Sequence, residues 1–316
     1  MKKYNFMLIF LCSCFMQICA FDEVAYQRLM RGEGNLIGAD LQDVAIENID
    51  LTNVDFTNAN LRGCTFVNVI LTNATFDKTQ LHKAIFHDVV VRNSRITNET
   101  KFDYATFENV TFDDTEINNS SFYRATFNGS DFLLSSVQGI SMELVRTKEL
   151  SFLSCTLLKN IRFQNAVLQN LLILTPGAIG ELLDFSLATL IKCCLLGNEI
   201  SKHSFLSQST FYGTTMHGCF FSNVHLDNCQ QADQISGGLT SIFQNVSATN
   251  KGDLESLISS GAKVNGQYSG VYKVFWENKN ETNFFVDLLK GLGLGVTSNL
   301  IAGLGVAAAG SACCIM

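Results

Sequence analysis

The chain has one proline (Pro176) and one tryptophan (Trp276) in 316 residues, and only 16% of its residues are charged. So little proline and charge excludes a long disordered or linker-rich chain, and the composition fits neither collagen, coiled coil nor a polytopic membrane protein. A basic balance is missing as well. The net charge is −7, from 22 Lys and Arg against 29 Asp and Glu, so phosphate affinity is not the default expectation and nucleic acid is not the expected partner. Residues 36–142 hold 14 acids and 7 bases, while the remainder balances at 15 and 15, so the excess negative charge sits on one segment. No glycine-rich phosphate loop follows a strand pattern, and no serine or cysteine nucleophile elbow occurs. The sequence therefore predicts no catalytic residues, no cofactor and no metal.

What it does contain is a period of five. From Leu36 every fifth residue is apolar: Leu41, Ile46, Leu51, Phe56, Leu61, Phe66, Leu71, Phe76, Leu81, Phe86, Val91 and Ile96. After a one-residue slip the series resumes through Phe102, Phe107, Phe112, Ile117, Phe122, Phe127, Phe132, Val137 and Met142 without a miss. The residue two before each centre is small or β-branched, as at Ala39, Val44, Val54, Ala59, Cys64, Ala74, Ala84, Ala105, Ser120 and Ala125. Five matches neither the 3.6-residue helix nor the two-residue strand. It matches a chain that turns a corner every five residues and stacks on itself, with one large and one small residue of each five pointing inward.

The units Ala39-Asp40-Leu41, Ala59-Asn60-Leu61, Ala74-Thr75-Phe76 and Ala125-Thr126-Phe127 resemble the motif of the pentapeptide-repeat proteins. That resemblance implies an all-β fold, a right-handed four-sided β-helix of about 20 residues per coil. In it the centres stack as a ladder (Leu41, Leu51, Phe56, Leu61, Phe66, Phe76, Phe107, Phe112, Phe122, Phe127) and the small residues fill the corners. Each coil leaves edges that only the next coil satisfies, so stability grows by neighbour stacking.

With further slips the register continues through Phe152, Leu157, Phe163, Leu168, Ile173, Ile179 and Phe185, with Thr147 the one centre that fails. It then runs through Leu190, Leu195, Ile200, Phe205, Phe211, Met216, Phe221 and Leu226, which gives nine or ten coils and a rod of about 45 Å. A short helix beginning at Pro176 is the competing reading of residues 176–197. The predicted organisation is a signal peptide over 1–20, a capping helix over 21–33 with Asp22 as N-cap and Gly32 as stop, and the β-helix over 34–230. A helical cap or degenerate ankyrin-like region follows over 231–290, and an apolar tail over 291–316. The ankyrin-like part rests on Gly252-Asp253-Leu254-Glu255, Gly261-Ala262 and Val264-Asn265, with Val271 to Phe275 departing from that family's pattern.

Lys2 and Lys3, then Phe6 to Phe15, then Ile18-Cys19-Ala20 read as an export signal, against an uncleaved anchor as the alternative. The last 26 residues, after Lys290, carry no charge and contain six glycines. That length can span or line a membrane, or pack on the protein, and Gly291, Gly295 and Gly305 invite self-association as a homodimer. The terminal Cys313-Cys314-Ile315-Met316 fits a prenylation signal on Cys313, with Cys314 as a second acyl site. An export signal and a eukaryotic lipidation signal reconcile in a bacterial protein delivered to a host cell.

Of the remaining cysteines, Cys64, Cys155, Cys193, Cys219 and Cys229 fall on small inward positions and read as buried thiols. His217 and His225 point out of the same register, so His217, Cys219, His225 and Cys229 do not converge as a metal site. His82 and His87 fall on outer faces, and Asn198 and His203 on inward ones. The functional expectation is a non-catalytic exported interaction scaffold with an unidentified protein partner, associated with membrane through 291–316, in the cell envelope, secreted or on a host membrane. Two alternatives stand beside it: the prenylated host-directed effector, and a DNA mimic that binds topoisomerase through Asp40, Asp43, Asp50, Asp55, Asp113 and Asp114.

Overall fold

The computed structural model describes residues 22–174, 179–197, 209–211, 213–222, 225–226, 241–248, 255, 263–268 and 271–274. The signal, the tail with Cys313 and Cys314, and Pro176, Asn198, His203, Ile200, Phe205 and Cys229 lie outside them.

Short strands of two to seven residues wind into coils whose walls are parallel ladders. Counting from the wall that begins at Leu36, the first wall is a six-stranded sheet, the third a nine-stranded sheet and the fourth a twelve-stranded sheet. The second is held by single bridges such as Asp40 with Asn60, Lys101 with Ser121 and Ser121 with Ser141. A coil advances by about 4.8 Å, the spacing of paired strands. The ladder residues Leu41, Leu51, Phe56, Leu61, Phe66, Phe76, Phe107, Phe112, Phe122 and Phe127 are all buried in one continuous core. Phenylalanines stack face to face along each wall. In the third wall Phe66, Phe86, Phe107 and Phe127 follow at 4.7, 5.0 and 4.6 Å between centroids, with planes within 8°.

Corners are turned by one residue in the left-handed region, most often asparagine, as at Asn48, Asn53, Asn68, Asn73 and Asn93. Asparagine tolerates this conformation better than other side chains do. Its amide also finds the next coil: Asn93 donates to Asn73 at 2.6 Å and Asn73 to Asn53 at 3.0 Å. Gly139 takes the same role at φ +63°, where a Cβ would lie 2.6 Å from Asn119 Oδ1.

The small inward residues satisfy the backbone. At eight corners between second and third walls, including Phe102 to Ala105 and Phe122 to Ala125, the turn closes through its own hydrogen bond. Other corners stay open, and a hydroxyl from the next coil bridges them. Ser135 accepts from Thr115 N at 3.1 Å and donates to Phe112 O at 3.0 Å. Ser130 spans Phe107 O and Val110 N, and Ser94 spans Leu71 O and Ala74 N, in the same manner.

Helix α1 (Glu23–Met30) covers the open first coil. Asp22 accepts from Ala25 N at 2.8 Å, Ala25 and Leu29 are buried, and the Asp22 amide reaches Asp40 O in the first coil. Gly32 ends the helix at φ +70°.

Three sequence expectations need correction. The slip before Phe163 falls earlier than periodicity suggests: Leu158, not Leu157, is the buried centre, aligned with Val137. In the next coil Gly180 pairs with Leu158, which puts Ile179 beside the outward Leu157. Thr147, the one centre that is not apolar, keeps its place between Phe127 and Leu168, because its hydroxyl donates to Gln169 O at 3.1 Å and so tolerates burial. Within 231–290 the helical expectation covers too much: Glu255 is helical, but strands Ile242–Ala248, Lys263–Tyr268 and Val271–Val274 flank it. The first two continue the fourth wall in parallel, where the exposed edge of the strand at Phe220–Ser222 needs a partner, and the last folds back antiparallel. Most of the ankyrin-like stretch lies outside the described residues. Residues 176–197, where a helix competed, hold strands Ile179–Asp184, Thr189–Ile191 and Cys194–Leu196.

Candidate interaction surfaces

An inside filled by side-chain ladders leaves only outward positions for recognition, three in each five residues. The thiols illustrate the division. Cys64, Cys155, Cys193 and Cys219 point inward, are buried and free, and donate to Leu41 O (2.8 Å), Phe132 O (3.3 Å), Leu168 O (3.1 Å) and Leu190 O (3.4 Å). Burial pushes both Cys64 and Cys155 up to about 12 and raises Cys193 well above the ordinary thiol value. A thiol held protonated is a poor nucleophile, so Cys64, Cys155 and Cys193 serve packing and hydrogen bonding, while a hydrogen bond with Cys193 lowers the Cys219 thiol against its burial. His217 lies outward and half-buried while Cys219 lies inward, so the two are not brought together; among the described residues no cluster suited to a metal ion occurs.

Outward, the second-to-third-wall corner carries an aromatic ridge. Tyr104, 46% exposed and left-handed at φ +61°, meets Tyr123 edge-on at 5.9 Å. The Arg124 guanidinium lies over both rings, 5.7 Å and 5.4 Å from their centroids. One coil before, His82 Nε2 reaches Asp103 at 3.4 Å. Desolvation lowers the His82 pKa, with the Asp103 carboxylate opposing it. The ridge was not singled out from sequence, because Tyr104, Tyr123 and Arg124 come together only when consecutive coils stack. The pentad register alone places Tyr123 and Arg124 one coil after Asp103 and Tyr104, which was the signal available.

The fourth wall changes character along its length. Early coils show Thr72, Arg92, Thr111 and Asp113, with Arg92 paired to Asp113 at 3.0 Å. From Leu133 the outer rows become Leu133, Leu153, Leu174 and Leu196, alongside Ser151, Leu172, Cys194 and Phe220. Asp131 sits at the boundary. Burial raises its carboxyl above the usual range, opposed by a hydrogen bond from Ser151.

The six carboxylates proposed for a DNA mimic do not line one face. Asp55 lies on the first wall, Asp40 on the second, Asp50 and Asp113 on the fourth, and Asp43 and Asp114 at two different corners. Asp113 is also neutralised by Arg92.

Residues 49–88 match the family model of pentapeptide repeats, in eight copies. Over that stretch the chain is built of pentapeptide repeats. The pentapeptide-repeat coil extends on both sides of the matched stretch, from Leu36 to the strands of the fourth wall beyond Phe220. No curated protein matches the chain by sequence. Among solved structures it is similar to HetL, a pentapeptide repeat protein involved in heterocyst differentiation regulation from the cyanobacterium Nostoc sp. strain PCC 7120. Identity there is 13%, coverage is 78% of this chain and 97% of that one, and the TM-score is 0.43. It is also similar to the pentapeptide repeat protein Rfr23 of the cyanobacterium Cyanothece 51142, at 16% identity, 36% and 90% coverage and a TM-score of 0.34. Full-length QnrB1, a plasmid-mediated fluoroquinolone resistance protein, matches at 15% identity, 72% and 97% coverage and a TM-score of 0.21.

Proposed function

We propose that this pentapeptide-repeat protein is a non-catalytic scaffold that binds a protein partner through its outer surface, exported and associated with membrane through residues 291–316. The ridge of Tyr104, Tyr123 and Arg124 carries the reading. Tyrosine and arginine are the residue types that dominate binding hot spots, and here they stand preorganised on a rigid corner. The inward side supports the same reading, since its thiols are sealed in the core.

The test is quantitative co-purification with the intact protein and with the double variant Tyr104→Ala, Arg124→Ala. Both residues are at the surface, so the coil is expected to keep its fold. The reading expects a partner retained by the parent and by a Thr72→Ala control, and lost from the double variant. A partner retained by all three would contradict the ridge as the binding surface.

The terminal Cys313-Cys314-Ile315-Met316 favours one second reading, a host-directed effector prenylated on Cys313. Intact mass of the protein from membrane and soluble fractions separates the two. A chain beginning at Phe21 with an unmodified end supports an exported scaffold; an isoprenoid on Cys313, with the last three residues removed, supports the effector.

A further inference from the structure

The corner that leads from the third wall into the fourth repeats one small inward position from coil to coil. In the later coils Leu150, Leu171, Cys193, Cys219 and Ser241 occupy it in turn, and all are buried. Among the described residues, Cys193 and Cys219 are the two cysteines that neighbour each other in such a column. The register fixes their approach. Ile191 pairs with His217 before the corner and Cys194 with Phe220 after it, and Phe220 N donates to Cys193 O at 2.8 Å. Cα atoms stacked in this way lie about 4.8 Å apart, inside the range of roughly 4.4–6.8 Å that a disulfide spans. Both side chains enter the coil in the same direction. Cys193 Sγ donates to Leu168 O at 3.1 Å, and Cys219 Sγ donates to Leu190 O at 3.4 Å, the equivalent carbonyl one coil on. A hydrogen bond also joins the two thiols.

We propose that Cys193 and Cys219 close a disulfide that staples two of the later coils together. The oxidant is an external disulfide such as oxidised glutathione. The Cys219 thiolate attacks one of its sulfurs and expels the other half as a thiolate, which leaves a mixed disulfide on Cys219. Cys193, deprotonated in turn, attacks the Cys219 sulfur and expels the second half. Two electrons pass from the protein thiols to the external disulfide, and the two protons end on the two released thiols. Cys219 leads because the bond from Cys193 lowers its thiol, whereas burial raises Cys193. In the closed coil both sulfurs are sealed, so the exchange takes place while strand Ile242–Ala248 is unpaired from Phe220–Ser222, as during folding. The pairing of Cys194–Leu196 with Phe220–Ser222 holds the two sulfurs together at that stage. The inference depends neither on the partner ridge nor on export.

The test refolds the full chain, with Cys12, Cys14, Cys19, Cys229, Cys313 and Cys314 replaced by serine, in oxidised and in reduced glutathione. In the oxidised sample the intact mass is expected to fall by two hydrogens, and peptide mapping without reduction to find one link, Cys193 to Cys219. Cys194→Ser keeps the link, while Cys193→Ala and Cys219→Ala lose it. Alanine already fills such inward corners at Ala125, Ala166 and Ala188, so both variants are expected to fold. The oxidised parent unfolds at a higher denaturant concentration than the reduced parent, because the link restricts the unfolded chain. Cys219→Ala shows no such difference between the two buffers. If an alanine variant does not fold, the parent and Cys194→Ser decide alone. A folded oxidised parent with both thiols free, or a link made through Cys194 instead, overturns the proposal. A link that leaves the unfolding midpoint unchanged overturns its role as a staple.

Discussion

Replacing Phe107 by alanine is expected to cost about 4 kcal/mol, the largest single-site loss in the coil. Phe107 is fully buried and stacks between Phe86 and Phe127 with ring planes within 8° of both. It also meets Phe102, Phe112 and Phe122 from neighbouring walls at 5.6 to 5.9 Å. Truncation removes the ring's transfer free energy and leaves a cavity at the meeting of five aromatics. Those neighbours cannot collapse into it, because each is fixed by its own strand pairing. In a solenoid the loss is local, so the coils nearest Phe107 open first and cooperativity falls. Denaturant unfolding followed by far-ultraviolet circular dichroism checks this. Phe107→Leu, which keeps most of the volume, is expected to lose less than half as much.

Ser135→Ala is expected to cost about 2 kcal/mol even though it removes a single oxygen. The hydroxyl accepts from Thr115 N and donates to Phe112 O, both in the preceding coil and both buried. Without it a backbone donor and a backbone acceptor are stranded at an open corner. Ala125→Gly is a useful contrast, since the Phe122 to Ala125 corner closes through its own bond at 3.0 Å and loses no polar partner. Ser135→Cys is expected to recover part of the loss, as Cys64 and Cys155 already donate to carbonyls from equivalent positions. The same denaturant measurement, with Ser135→Ala no less stable than the parent, would remove hydroxyl bridging from the account.

The period of five was legible because a four-sided coil imposes one large inward residue on every pentad, whatever the outer residues do. Its uninterrupted run from Leu36 to Met142 therefore needed no structural information. Legibility failed where inward positions stopped being diagnostic. At Leu157-Leu158 both residues are apolar, and only strand pairing shows that Leu158 takes the ladder. Thr147 looked like a failure because its hydroxyl's partner, Gln169, lies one coil away. The strands after residue 240 were missed because the sheet edge, rather than local propensity, decides their conformation. The surfaces were harder still. The Tyr104 ridge is built by residues 19 apart, and the apolar rows of the fourth wall by residues about 20 apart. Sequence periodicity records what points inward and says little of what outward neighbours form together.

The account rests on one unbroken stack that includes the later coils, where the repeat is most degraded. Spin labels on Glu47→Cys and His217→Cys, the outward ends of the nine-stranded third wall, test it directly, because the inward thiols are sealed against labelling. The six cysteines outside the described residues (Cys12, Cys14, Cys19, Cys229, Cys313, Cys314) are first replaced by serine. Eight strand spacings place the two labels about 38 Å apart, and double electron–electron resonance is expected to return a single distribution centred there. A distribution centred well below that, or split into two, would show that the later coils leave the stack, contradicting the account.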